Sequence, residues 1–278
     1  MGLRIATNVP ALAAQHKLKN IIDEQSKSYQ RIASGERIAQ PGDDAAGLLI
    51  SENLRGQIRS LGQAQRNAND AVSFVQVAEG GLSEISNIMV RLRELGIQAG
   101  SDTVGDRERG FIHQEAQGLV AEVDRIANVT SYNGTSLLNA QSQKGVLDIQ
   151  IGIQNQASDH IRFDANALDS RTGSLGIDGL NYESLDSARD SLERIDTAVS
   201  RVLQSRSTLG AMQNRLQSTI RNAETAQENL TSARSRIADT DIAEETTNLM
   251  RGNILQASGV AVLSQANSAP AQALKLLG

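Results

Sequence analysis

The chain of 278 residues contains no cysteine and no tryptophan, and only three phenylalanines and three tyrosines. Without cysteine it can form no disulfide and no thiolate metal site. Large aromatic rings usually line ligand pockets and fill compact cores. A chain with 2% aromatic residues is therefore a poor candidate for an enzyme with an enclosed active site. We predict a protein that is not an enzyme.

Charge and hydropathy exclude further classes. The net charge is -5 and no basic run occurs, which argues against a nucleic-acid partner. No run of about 20 apolar residues is present, so no membrane span is predicted. The N-terminal segment lacks the pattern of a cleaved signal peptide. The histidines His16, His113 and His160 are far apart in sequence and form no metal-binding motif, so we predict neither a metal nor another cofactor.

Proline is almost as scarce, and the expectation is that Pro10, Pro41 and Pro270 all lie outside helix interiors. Two proline-free segments, 44–98 and 184–237, carry apolar residues every three or four positions, which predicts long amphipathic helices. About 55 helical residues extend roughly 80 Å. A compact globule of this length has a radius of gyration of only about 19 Å, so the sequence predicts an elongated molecule.

Shorter elements complete the expected architecture. Helical periodicity marks residues 12–33, 106–128 and 242–266, and a turn signal lies at 131–134. Apolar and polar residues alternate from Leu147 to Ile153 and resume at Ile161 and Phe163, which predicts a β-hairpin at about 145–165. The predicted fold class is mainly α: an elongated antiparallel bundle of long helices with a small β-hairpin, plus a terminal two-helix coiled coil.

Each terminal helix carries a stripe of apolar residues, but the apolar area of that stripe is too small to stabilise the helix alone. We expect these stripes to be buried against each other and against neighbouring subunits. The candidate assembly residues are Leu18, Ile22, Tyr29, Ile32, Met250, Ile254, Leu255, Ala257, Ala261 and Val262.

Several segments resemble the bacterial flagellin family. Near the N-terminus the chain reads QRIASGERI at 30–38 and DDAAG at 43–47, followed by RNAND at 66–70 and RLREL at 91–95. Near the C-terminus it reads RSTLGAMQNR at 206–215, ARSRIAD at 233–239 and SQAN at 264–267. These motifs occur in the family's order, and the resemblance extends from about Asn8 to Leu277.

The resemblance implies a structural subunit that assembles into the flagellar filament for swimming motility. Only about 137–181 separates the two halves, which implies a minimal flagellin without the variable outer domains. The implied domains are 1–42 and 238–278, two halves of an inner domain, and 43–237, a rod-like helical domain with the hairpin. We expect the terminal helices to be disordered in the monomer and to fold on assembly. The alternatives are a hook–filament junction protein of the same family and an intracellular coiled-coil scaffold.

The implied partners are further copies of the chain, a flagellar export chaperone, the filament cap and the hook-junction proteins. The implied location is extracellular, in the bacterial flagellum, reached through the flagellar export apparatus without a cleaved signal peptide. In some flagellins an innate receptor of vertebrates, Toll-like receptor 5, binds a patch that maps here to Arg91, Leu95 and Glu115. The alternative is that Arg91 and Glu115 form an ion pair within the chain or between subunits.

Motif residues at the breaks between the helices form a second candidate group: Arg31, Ser34, Gly35, Arg37, Asp43, Asp44, Arg234 and Arg236. Asp43 and Asp44 precede the first long helix, where negative charge is favourable, so helix capping is the simpler of two interpretations and a functional role is the other. The arginines either form ion pairs at the break or lie on a solvated face, where such pairs contribute only about 0–1 kcal/mol each.

Overall fold

The computed structural model describes residues 7–142 and 145–277, and only the backbone of 270–277. The predicted segment 1–42 therefore begins before the described residues, and the predicted segment 238–278 ends one residue after them. Within these residues, six α-helices and four short strands follow one another. They are α1 Val9–Ser34, α2 Ala45–Ala99, α3 Asp106–Val129, β1 Ser131–Tyr132, β2 Thr135–Ser136, β3 Val146–Gln150, β4 His160–Asp164, α4 Thr172–Leu175, α5 Leu185–Ala238 and α6 Ile242–Leu277. The mainly α class with a small β-hairpin is confirmed.

The chain divides into two compact units. One comprises Met1–Gly56 with Asn229–Gly278, and the other comprises Gln57–Glu228. We call them the terminal unit and the central unit. The three-part division at 42/43 and 237/238 stays a prediction.

In the central unit, α2 runs antiparallel to both α3 and α5. Polar pairs show the direction of α5: Gln65 contacts Glu224, Glu79 contacts Arg206, and Arg93 contacts Asp196. The stripe predicted for α2 supplies most of the buried core on that helix, listed here as Ala68, Val75, Ala78, Leu82, Ile85, Met89, Leu92 and Leu95. The apolar period therefore identified the buried face of this helix correctly.

The predicted hairpin is present as the antiparallel pair β3–β4, in which Ile149 faces Ile161 and Leu147 faces Phe163. The buried ring of Phe163 lies edge-on to Phe74 of α2, with ring centroids 4.4 Å apart. Asn67 of the RNAND motif donates a hydrogen bond to the carbonyl of Gln150, at 3.0 Å. A two-stranded hairpin is only marginally stable by itself, and these contacts attach it to α2.

The terminal unit contains an antiparallel pair of helices, α1 and α6. The less exposed residues recur at alternating intervals of three and four, the spacing of a coiled-coil seam. Those that keep this spacing are Ala11, Ala14, Leu18, Ile21, Gln25, Ser28 and Ile32 on α1, and Glu245, Leu249, Gly252, Gln256, Gly259, Leu263 and Ala266 on α6; Arg31, Thr246, Asn248 and Ser268 beside them are also less exposed. Small and polar residues thus occupy much of this seam.

One expectation from the sequence is wrong, and a second is correct but incomplete. Pro270 lies inside α6, which continues to Leu277 rather than ending near 266. Residues 131–136 form a second, two-residue-per-strand hairpin where only a turn was expected, with Asn133 and Gly134 both at positive φ. This combination is typical of a tight hairpin turn. None of the described helices is long and apolar enough to cross a membrane.

Candidate assembly surfaces

Large apolar side chains on both helices of the terminal unit are exposed. On α1 they are Val9, Leu12, Ile22 and Tyr29, and on α6 they are Ile242, Met250, Ile254, Leu255, Val260 and Val262. Soluble monomers rarely expose contiguous apolar patches larger than a few hundred Å². We call this set the outer stripe.

The candidate assembly residues divide between the outer stripe and the seam. Leu18 and Ile32 are half-buried at the seam. The other eight are exposed: Ile22, Tyr29, Met250, Ile254, Leu255, Ala257, Ala261 and Val262. Ile254 is 68% exposed and Met250 62%. Contact between α1 and α6 therefore leaves most of the candidate area open.

The middle of the seam is polar. Gln25 is buried and donates a hydrogen bond to Asn253 at 3.0 Å. A side chain at Gly252 would meet Gln25, because a Cβ built there lies 2.8 Å from the Gln25 Cγ. Arg31 and the buried Glu245 form an ion pair at 3.9 Å, and a cavity of about 240 Å³ adjoins these residues. Such a seam excludes little apolar area from water.

The chain leaves α1 through a short antiparallel contact with the α5–α6 connection. Gly35 ends the helix at φ 72°, and its N–H donates to the Arg31 carbonyl at 2.8 Å. The Gly35 carbonyl accepts a hydrogen bond from the N–H of Thr240 at 2.9 Å, and the Arg37 N–H donates to Ala238 at 2.7 Å. Glycine suits this cap because it adopts positive φ without steric cost.

Side chains of the break motifs reinforce this contact. The Arg37 guanidinium donates twice to the carbonyl of Ile237, at 3.1 and 2.8 Å, and so satisfies a carbonyl in the last turn of α5. Arg234 pairs with Glu36 at 3.1 Å. Ser34 accepts a hydrogen bond from the Glu36 N–H at 3.1 Å. Arg236 is exposed. The geometry thus places both Arg37 and Arg234 in contacts within the terminal unit.

The two aspartates before α2 have separate roles. The Asp44 carboxylate accepts a hydrogen bond from the Gly47 N–H at 2.8 Å and so caps α2. Asp43 accepts one from the Gln40 N–H at 3.2 Å and lies 3.8 Å from Lys27. A Cβ at Gly47 would collide with the Asp44 carboxylate and lie 2.9 Å from Ile38. The DDAAG segment therefore builds a compact helix start.

A third candidate surface lies on the central unit. Arg91 pairs with Glu115 of α3 at 2.7 Å and with Glu94 at 3.0 Å. Hydrogen bonding to Glu115, and then to Glu94, raises the pKa of Arg91 above its ordinary value. All three side chains are about half exposed. Leu95 is only 1% exposed and belongs to the core. An ion pair within the chain, one of the two interpretations, is thus present.

Sequence reasoning missed the polar seam residues Gln25, Ser28 and Glu245, which are buried. It also missed Asn8, whose amide donates to the Ala266 carbonyl at 2.9 Å. The search followed large apolar residues, which on these helices lie mainly outside the seam. The alternating three-and-four spacing of small and polar residues was the available signal.

No group of three or more His, Asp or Glu side chains suited to a metal ion occurs within 7–142 and 145–277.

The chain matches two family models. Residues 5–143 match the bacterial flagellin N-terminal helical region, and residues 192–277 match the bacterial flagellin C-terminal helical region.

Curated relatives match over almost the whole chain. A flagellin of Halalkalibacterium halodurans is 37% identical, with 97% of this chain and 98% of the relative covered. A flagellin of Bacillus subtilis is 37% identical, with 99% of this chain and 100% of the relative covered. The crystal structure of Bacillus cereus flagellin is 30% identical with a TM-score of 0.50, and the match covers 57% of this chain and 88% of that one. The structure of a putative flagellar hook-associated protein from Vibrio parahaemolyticus is 15% identical with a TM-score of 0.59, and the match covers 71% of this chain and 100% of that one. At this identity the match shows only that the two proteins share a fold.

Proposed function

This chain belongs to the bacterial flagellin family and is a structural subunit of the flagellar filament, and we propose that α1 and α6 form the surface through which its copies assemble. At 278 residues the chain is a short, minimal form of the family, and the two relatives are matched along nearly their full length. Family models for flagellin at both ends do not favour the hook-junction protein or the coiled-coil scaffold as alternatives.

The outer stripe carries this proposal. Burying a large aliphatic or aromatic side chain contributes about 1.5–3 kcal/mol. Ten such residues of α1 and α6 are exposed in the single chain. Neighbouring copies that covered these residues would supply the apolar burial that the two helices lack. Its residues lie outside the seam, so a copy could contact them without opening the coiled coil.

We further propose that α1 and α6 fold fully only on assembly. The seam between them contains two glycines, three alanines and three uncharged polar residues, listed as Gly252, Gly259, Ala11, Ala14, Ala266, Gln25, Ser28 and Gln256. Fixing a residue's backbone costs about 1–2 kcal/mol, and small side chains recover little of that cost. Contacts from neighbouring subunits would provide the remainder.

The break motifs are proposed to hold the start of α2 and the end of α5 in one geometry. Support comes from the hydrogen bonds of Gly35 and Arg37 and from the Arg234–Glu36 pair. No catalytic role or cofactor is assigned.

Family membership supports the remaining proposals. We assign export to the flagellar export apparatus, and as partners the export chaperone, the filament cap and the hook-junction proteins. For Toll-like receptor 5, the exposed Arg91 and Glu115 are the proposed contacts, and the buried Leu95 would act only by holding α2 in place. Glu115→Ala would test the patch, because it removes one proposed contact and leaves Arg91 paired with Glu94 alone.

Electron microscopy after salting out, beside circular dichroism of the dilute chain, tests the assembly proposal. We expect long filaments, with helicity that rises on assembly as α1 and α6 fold. A fully helical species that never polymerises would contradict both parts. Filaments that form without a rise in helicity would support the assembly proposal but refute the proposal that α1 and α6 fold on assembly.

A further inference from the structure

Pro270 creates a defect in α6. In an α-helix each carbonyl accepts a hydrogen bond from the N–H four residues later. Proline has no N–H, so a proline inside a helix leaves the carbonyl four residues before it without that partner. In α6, which extends from Ile242 to Leu277, the carbonyl so affected is that of Ala266.

Asn8 supplies a replacement donor from the other helix. Its side-chain Nδ2 donates to the Ala266 carbonyl at 2.9 Å, across 258 positions of sequence. Its Oδ1 accepts a hydrogen bond from the Ala11 N–H at 3.1 Å and thereby caps α1. A single amide thus serves two helices, because its oxygen completes the start of α1 and its nitrogen completes the proline defect in α6.

From this geometry we propose that Asn8 and Pro270 act together as a positioning pair that fixes the register of α1 against α6. A partly buried carbonyl without a donor is unfavourable, so the antiparallel pair is favoured where Asn8 lies opposite Ala266. A slip by one heptad would displace the helices by about 10 Å and separate these groups.

The remaining seam residues explain why such a pair is useful. The close approaches within the seam lie farther along the helices, where Gly252 leaves room for Gln25 and Gly259 leaves room for Leu18. Gln25–Asn253 and Arg31–Glu245 lie toward the opposite end of α1. Asn8 therefore secures the end that those links do not reach. Correct register would also align the two halves of the outer stripe, and this consequence rests on the proposed function.

A double-mutant cycle tests the proposal in full-length filaments. Asn8→Ser retains a good N-cap oxygen but is too short to reach the Ala266 carbonyl. Pro270→Ala restores an N–H within α6, so the carbonyl no longer needs Asn8. We expect Asn8→Ser to raise the critical concentration for assembly about fivefold in the parent chain. In the Pro270→Ala chain we expect less than a twofold change. An equal effect of Asn8→Ser in both chains would overturn the proposal.

Asn8→Asp provides a second test that does not depend on altering Pro270. Aspartate keeps the capping oxygen, and its negative charge is favourable at a helix N-terminus. It has no N–H to donate to the Ala266 carbonyl. If Asn8 acts only as a cap, this variant assembles as well as the parent or better. If Asn8 and Pro270 act as the proposed pair, Asn8→Asp assembles more weakly than the parent chain, as Asn8→Ser does. Loss of assembly through the outer stripe is measured separately with Ile254 variants, so failure of one idea is distinguishable from failure of the other.

Discussion

Shortening Ile254 to alanine measures how much the outer stripe contributes to assembly. The Ile254 side chain is 68% exposed on α6, so the single chain loses little packing when it is truncated. Alanine is the best helix former, so α6 is not weakened locally. Complete burial of an isoleucine is worth about 1.5–3 kcal/mol. Because about two-thirds of the side chain is still open, neighbouring subunits can contribute about 1–2 kcal/mol at this position.

That free energy corresponds to a rise of about 5- to 30-fold in the critical concentration for assembly. The assay is sedimentation of filaments over a range of total protein concentrations, with circular dichroism of the dilute chain as a check on helicity. Ile254→Leu is the matched control, because it preserves apolar area and should change the critical concentration less than threefold. Ile254→Ala filaments with the parent's critical concentration would refute the assignment of this face to an interface.

Three further predictions concern other parts of the chain. Deleting Ala261–Gly278 should leave a soluble, helical chain that does not polymerise, and filaments from that truncation seen by electron microscopy would contradict the role of α6. Gly47→Ala should destabilise the terminal unit by about 1–3 kcal/mol in urea unfolding, because the new methyl meets Asp44 and Ile38; Gly56→Ala on the same helix meets nothing within 4 Å and should be neutral or stabilising. Burial raises the pKa of Tyr182 to about 12, so the free energy of unfolding should fall by up to about 2–3 kcal/mol between about pH 10 and 12, where the unfolded chain loses this proton first. Tyr182→Phe should remove that loss, and an unchanged pH dependence would show that another group is responsible.

Much of the central unit could be predicted from sequence because its physics is simple. Large apolar residues at helical spacing lie on one face of α2, and that face is the buried one, from Ala68 to Leu95. Alternation from Leu147 likewise marked the β3–β4 hairpin. Each of these patterns reflects a single property, the burial of apolar area against one neighbouring surface. No second interface uses the same residues of these elements within the part of the chain that the structure describes.

The terminal unit was harder to predict because two interfaces share the same helices. The large apolar residues Ile22 and Ile254 are exposed, whereas the polar Gln25 and Glu245 are buried at the seam. A search for apolar stripes therefore found residues of the outer stripe and missed most of the seam. Pro270 was expected to lie outside α6, because the rule that excludes proline assumes that the carbonyl it frees has no other donor. Asn8, 258 positions away, is that donor.

Amide hydrogen exchange, compared between the dilute chain and the filament, tests the central claim most directly. The account predicts that α1 and α6 exchange rapidly in the dilute chain and become protected in the filament. The core of the central unit around Leu82 and Leu92, which is fully buried in the single chain, should be protected in both states. Equal protection of α1 and α6 before and after assembly would contradict the claim that neighbouring copies fold and cover these helices.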